Sequence, residues 1–185
     1  GLGRRVSDSS GQKKGSRIGQ GFVLALGHHA QQSDITIDGA HLTGTLFGAR
    51  IKSWQGGRGY AKDIKFMNMV MDNVKNPIII DQNYCITSDP TKPQVCEQQE
   101  SAVQFSNILF KGTTATKDAI KLHCSKAFPC RDIVLQDIDL KMKAGGKKNT
   151  VTSSCENAVL SKTSNVSPVA CTSAVTKEEI AQEQE

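Results

Sequence analysis

The sequence predicts an all-β protein, a right-handed parallel β-helix present as a partial solenoid with disulfide-closed loops. The first observation is compositional: only 37% of the 185 residues are hydrophobic and 5% aromatic, while Gly, Ser, Thr, Asn and Asp are plentiful. That balance favours a turn-rich β architecture and leaves too little apolar surface for a helical bundle. The second is a repeated strand pattern. The third is the grouping of the cysteines into close pairs.

The repeat begins at Asp34-Ile35-Thr36-Ile37-Asp38-Gly39. It returns as Asp63-Ile64-Lys65-Phe66-Met67-Asn68, as Ala102-Val103-Gln104-Phe105-Ser106-Asn107 and as Asp132-Ile133-Val134-Leu135-Gln136-Asp137. Apolar residues alternate with variable ones, and an Asn, Asp or Gly closes each copy, which is period-two strand patterning ended by a turn former. The anchors Ile35, Ile64, Val103 and Ile133 lie roughly 30 residues apart, with a longer second interval that holds the loop from Cys85 to Cys96. A second strand follows each anchor at about 15 residues: Ala49-Arg50-Ile51-Lys52, Pro77-Ile78-Ile79-Ile80-Asp81 and Ala119-Ile120-Lys121-Leu122.

Repeats of this length with two or more short strands and no helix suit one coil of a solenoid, each rung pairing with those above and below. Asn and Gly belong at the corners, where left-handed backbone is required. Three units follow: an atypical basic loop or disordered segment over 1–32, solenoid rungs over 33–171, and a polar tail over 172–185.

Pairing of neighbours, Cys85–Cys96, Cys124–Cys130 and Cys155–Cys171, is the expected choice among the connectivities that six cysteines allow. Zinc is the rival, but no Cys-x-x-Cys occurs and His123 beside Cys124 lacks a partner at finger spacing, so no metal or other cofactor is expected. Disulfides imply an oxidising, extracellular compartment. Asn165-Val166-Ser167 is a glycosylation acceptor by pattern. No leader is visible at Gly1, so secretion requires that the true N-terminus lies upstream of this chain or has been removed.

The formal charge of +5 comes from scattered Lys and Arg without interleaved aromatics, which argues against nucleic acid. It suits an acidic polymer instead. No stretch reaches the 18 or so apolar residues of a membrane-spanning helix. A nucleophile elbow, a phosphate loop and a dinucleotide fingerprint are absent.

Gly48-Ala49-Arg50-Ile51-Lys52-Ser53-Trp54-Gln55-Gly56-Gly57 is the segment richest in chemistry. On a strand Arg50 and Lys52 share one face and Ala49 and Ile51 the other, so two cations stand over a packed interior. Paired cations on a rigid strand hold carboxylates, Arg through a planar fork and Lys as a point charge. Trp54 divides evenly between sugar stacking and packing. Met67, Met69 and Met71 read as rung packing, His28 and His29 as loop residues, and His123 as a strand-end residue beside a disulfide.

Arg50-Ile51-Lys52 with Trp54-Gln55-Gly56-Gly57 resembles glycoside hydrolase family 28, the plant polygalacturonases. The resemblance continues through Asn76-Pro77-Ile78-Ile79-Ile80-Asp81-Gln82-Asn83-Tyr84-Cys85, Ser101-Ala102-Val103, Pro129-Cys130 and Cys155-Glu156-Asn157, and covers about residues 33–171. It implies that Arg50 and Lys52 hold galacturonate carboxylates, that Tyr84 contacts the sugar beside them, and that the partner is pectin or oligogalacturonate in the cell wall, met by a monomer. It also implies hydrolysis of α-1,4-galacturonan with inversion, by an acid and a base on aspartates. Those acids should stand in Asn-Thr-Asp and Asp-Asp segments, with a Gly-His-Gly, all N-terminal to Arg50. The chain has none of the three, so it is expected to be a C-terminal part, inactive alone. The alternative is a non-catalytic pectin-binding β-helix.

Overall fold

A computed structural model describes residues 19–85, 99–115, 120–141, 153–168 and 171. These contain strands and no helix, and every strand pairing among them is parallel. Thirteen strands run in chain order: β1 Phe22–Leu26, β2 His29–Gln32, β3 Ile35–Asp38, β4 His41–Thr43, β5 Phe47–Trp54, β6 Arg58–Met67, β7 Val70–Asp72, β8 Asn76–Tyr84, β9 Gln104–Ala115, β10 Ile120–His123, β11 Cys130–Leu140, β12 Ser154–Glu156 and β13 Ala158–Ser167. They stack as a parallel β-solenoid of about four turns. One sheet has the order β1-β5-β8-β10-β12, and the other runs β13-β11-β9-β6-β2 with β3, β4 and β7 beside that path.

The interior follows from strand alternation. In β5 Ala49 and Ile51 are fully buried while Arg50 and Lys52 stay half-buried on the outer face, as the spacing predicts. Ile51 stacks in register on Ile80, and Ile80 on Leu122. Across the interior Ile64, Ile108 and Ile133 form a second column, and Phe66, Phe110 and Leu135 a third. The Phe66 and Phe110 rings lie 5.2 Å apart and nearly parallel. Like residues therefore meet from rung to rung, and each layer covers the one below with apolar surface of the same shape.

The corners are built from left-handed residues. Asp34, Asp63, Asn107 and Asp132, each one residue before a core isoleucine, all have φ between 52° and 59°. Four residues after those isoleucines comes a second column of the same kind, Gly39, Asn68, Gly112 and Asp137, continued by Asn165. Short polar side chains tolerate this conformation and bond locally. Asn68 Nδ2 donates to Asp38 Oδ1 at 2.8 Å and Asn165 Nδ2 to Asp137 Oδ1 at 3.0 Å, with Asn107 and Asp63 joined likewise. The Asn or Asp that ends each of the last three sequence repeats is thus a rung-to-rung fastener.

Two expectations need correction. The third repeat is anchored by Ile108 rather than Val103, because Ile64 pairs with Ile108 and Ala61 with Phe105. Val103-x-Phe105 belongs to the run before the Asn107 corner, and its alternation has the same form as Ile108-x-Phe110 after it. Residues 1–32 were expected to be loop or disordered, yet β1 and β2 lie inside that span and pair with β5 and β6. Phe22, Leu24 and Ala30 turn toward the core; Phe22 and Leu24 stay only partly covered because β1 is the edge strand of its sheet. Residues 1–18 and the expected tail 172–185 lie outside the described residues, as does Cys96 of the expected Cys85–Cys96 pair.

Cys124–Cys130 and Cys155–Cys171 are disulfides, with Cα separations of 5.7 and 5.3 Å. The first closes the loop between β10 and β11, and the second ties β12 to the chain beyond β13. Gly48 permits the tight approach of β5 to its neighbours: a Cβ there would run into the Met71 side chain and the Pro77 carbonyl. That approach fixes the height of Arg50 two residues on.

Candidate binding strip on the outer sheet face

The outer face of the sheet β1-β5-β8-β10-β12 collects ionisable groups because every second residue of each strand points there. From β5 come Arg50, Lys52 and Trp54, from β8 Asp81, and from β10 Lys121 and His123, with Lys52, Asp81 and His123 in one register row. Trp54 and Tyr84 are register partners at the strand ends.

Arg50 is held from three sides. Its Nη2 lies 3.3 Å from Asp81 Oδ2, its guanidinium carbon sits 4.2 Å from the centre of the Phe47 ring, and the Tyr84 ring is 5.6 Å away. The Nε donor is buried and has no hydrogen-bond partner. An unmet buried donor costs about 1–3 kcal/mol, so this guanidinium is poorly accounted for by stability. Lys52 Nζ stands 3.8 Å from the centre of the Tyr84 ring. No carboxylate among the described residues forms an ion pair with it. Tyr84 in turn meets Trp54 edge-on, with ring centres 5.0 Å apart, and Trp54 stacks against His28 at 5.9 Å. Among the described residues the strip therefore offers an ammonium on an aromatic ring without a carboxylate partner, a half-engaged guanidinium and a line of rings.

Arg50, Lys52 and Tyr84, the three residues singled out from the sequence, come together here although Tyr84 is far from the other two in the chain. Asp81, Phe47 and His28 were not foreseen as neighbours of the site. The Arg50–Asp81 contact crosses rungs diagonally, since Arg50 registers with Ile79 and Lys52 with Asp81, and strand alternation alone does not reveal it. His28 lies in the bend before β2, and only rung stacking brings it to Trp54. Lys121 Nζ donates to Asn76 Oδ1 at 3.3 Å, and His123 Nε2 lies 2.6 Å from Ser154 Oγ beside the Cys124–Cys130 bridge. No cluster of three or more His, Cys, Asp or Glu suited to a metal occurs among the described residues.

Behind the strip, Gln82 is fully buried and satisfied. Its Nε2 donates to the Val103 carbonyl at 2.7 Å, and its Oε1 accepts from the Ser125 amide at 2.8 Å. Asn83 donates its amide N–H to Asp81 Oδ1 at 3.1 Å, and Gln55 Nε2 reaches the Asn83 carbonyl at 3.2 Å. These bonds fix the end of β8, and with it the Tyr84 ring. Replacing Tyr84 with Ala should weaken binding of an anionic ligand at this strip by about tenfold, while Tyr84→Phe keeps most of it, because the ring carries the cation contact. A titration of the three proteins side by side checks this, and equal affinity of the Ala variant would contradict it.

Fold and strip together define a β-solenoid that presents cations and aromatic rings along one sheet face. The model of the family described as Glycosyl hydrolases family 28 matches residues 15–171, and the chain belongs to that family. It is 48% identical over 150 residues to a protein of Persea americana named "Polygalacturonase", covering 76% of this chain and 31% of that one. A Solanum lycopersicum protein named "Polygalacturonase-2" is 43% identical over 162 residues, with coverages of 86% and 34%. "Polygalacturonase QRT2" of Arabidopsis thaliana is 40% identical over 167 residues, with 85% and 36%. The chain thus spans about a third of the length of the curated relatives it matches.

Proposed function

We propose that this chain forms the C-terminal part of a pectin-binding cleft, in which Arg50 and Lys52 engage galacturonate carboxylates and Tyr84 packs on the sugar between them. The observation that carries the reading is Lys52, an ammonium seated on an aromatic ring with no carboxylate partner among the described residues. A fixed cation without a counter-charge attracts an anion, and Arg50 beside it adds a fork that fits a carboxylate. The names of the relatives supply the polymer, galacturonan. The two described disulfides agree with a secreted, cell-wall setting.

Joined to the rest of such a protein, the strip serves hydrolysis of the α-1,4 links with inversion. That reaction needs one protonated carboxyl at the leaving oxygen and a second carboxylate holding water. Asn-Thr-Asp, Asp-Asp and Gly-His-Gly segments do not occur in these 185 residues. The second reading is a non-catalytic pectin-binding solenoid that keeps Arg50 and Lys52, because the strip's cations are all that a binding role needs.

Reducing-end release from polygalacturonic acid, measured beside oligomer binding, tests the proposal. The expected result for this chain is binding without hydrolysis. Hydrolysis by the purified chain would show that acids within it suffice, and absence of binding would remove the cleft assignment.

A further inference from the structure

We propose that a second binding site for acidic galacturonan lies in a groove between the start of β9 and the 126–129 loop, with Arg131 as its cation and Phe128 as its ring. The choice of ligand rests on the reading above; the site itself does not. The groove encloses about 270 Å³, and Gln104, Ser106, Phe128, Pro129 and Arg131 are among the residues lining it. None of them belongs to the strip on β5, β8 and β10.

The lining has the chemistry of a uronic acid. An Arg fork fits a carboxylate in two-point contact, an aromatic ring covers the apolar face of a sugar, and an amide and a hydroxyl match its alcohols. The same face continues along the register. Ser106 pairs with Arg131 on one side and Lys62 on the other, so the exposed Lys62 and Arg131 stand two strands apart, about 10 Å at ordinary strand spacing. Tyr60, 37% exposed, registers with Gln104, and Lys62 Nζ lies 5.1 Å from its ring centre. A polymer with a carboxylate on every unit meets successive cations here, which a neutral glycan does not exploit. The nearest acids in sequence, Asp63 and Asp132, sit one residue on at the left-handed corner, where Asp63 already accepts from Asn107.

The groove wall is built in advance. The Cys124–Cys130 disulfide closes the loop, and the Ser125 amide is anchored on the buried Gln82. The Cys124 amide donates to the Glu156 carbonyl at 2.9 Å and the Cys130 amide to the Asn157 carbonyl at 3.1 Å. A loop fixed in this way loses little freedom when a ligand arrives. Gln82 also lies two residues before Tyr84, so one buried amide braces both surfaces.

The chain contains a single tryptophan, Trp54, in contact with Tyr84. Its fluorescence therefore reads the strip, whereas calorimetry counts every site. With trigalacturonate the full chain should bind two equivalents by calorimetry, of which Trp54 reports one. Arg131→Glu, a change at an exposed position, should weaken the second equivalent by at least about tenfold and leave the Trp54 titration unchanged. Phe128→Ala should weaken the same equivalent while keeping the charge. The Arg50→Ala/Lys52→Ala variant should lose the Trp54 response and retain one equivalent. A single equivalent in the unsubstituted chain that Trp54 reports in full, or two of unaltered affinity in Arg131→Glu, overturns the second site. A Trp54 response that survives the Arg50/Lys52 change overturns the strip reading and leaves the groove standing on its own count. No binding heat at all overturns both.

Discussion

Replacing Arg50 and Lys52 together with alanine should reduce affinity for an oligogalacturonate by a factor on the order of a hundred or more. Each cation offers a charge-assisted contact worth about 1.5–3 kcal/mol, and a factor of ten corresponds to about 1.4 kcal/mol. The contacts are pre-positioned. Arg50 is braced by Phe47 and Asp81, and Lys52 is seated on Tyr84. Both side chains are on the outer face, so the fold should survive their loss, and the freed Asp81 carboxylate would add repulsion toward the ligand. The double variant therefore separates binding from folding: its urea midpoint should stay near that of the unsubstituted chain while its affinity collapses. Equal affinity of the two proteins would contradict the assignment of these cations.

Phe110→Ala should have the largest effect on stability. The side chain is fully buried, stacks on Phe66 at 5.2 Å and registers with Leu135 in the next rung. Removing a buried Phe side chain typically costs about 3–5 kcal/mol, from lost transfer energy and from the cavity left behind. In a solenoid each rung is stabilised by its neighbours, so a gap in the middle column weakens the interfaces above and below together. Urea unfolding should show the unfolding free energy falling by that amount or the protein failing to fold, while the outer-face variant Tyr84→Phe stays close to the parent. A shift below about 1 kcal/mol would mean that the column repacks and that the phenylalanine stack is not central.

Much of this architecture is legible in the sequence because its signals are local. Alternation in Ala49-Arg50-Ile51-Lys52 assigns each side chain to a face, and the structure keeps that assignment. The Asn and Asp residues at the repeat ends mark the left-handed corners. The cysteine spacing leads to Cys124–Cys130 and Cys155–Cys171. What was missed depends on which rung lies beside which. Ile108 rather than Val103 anchors its rung because β9 carries apolar alternation on both sides of Asn107, and only pairing with β6 selects the register. The run Phe22-Val23-Leu24-Ala25-Leu26 is apolar throughout, without a period-two signal, and a basic, glycine-rich stretch precedes it. Its strand character comes from pairing with β5. The Arg50–Asp81 and His28–Trp54 contacts likewise join residues distant in sequence, by stacking that no spacing rule encodes. The groove at Arg131 carries no motif. It arises where the disulfide loop folds against β9.

The most direct test of the central claim compares trigalacturonate with its methyl ester in a Trp54-fluorescence titration of the full chain. The two ligands share rings and hydroxyls and differ in charge, so a site built on Arg50 and Lys52 should prefer the acid by at least about tenfold, and the preference should shrink with added salt. Equal affinity for acid and ester would contradict the account, because the cations would then have no part in recognition.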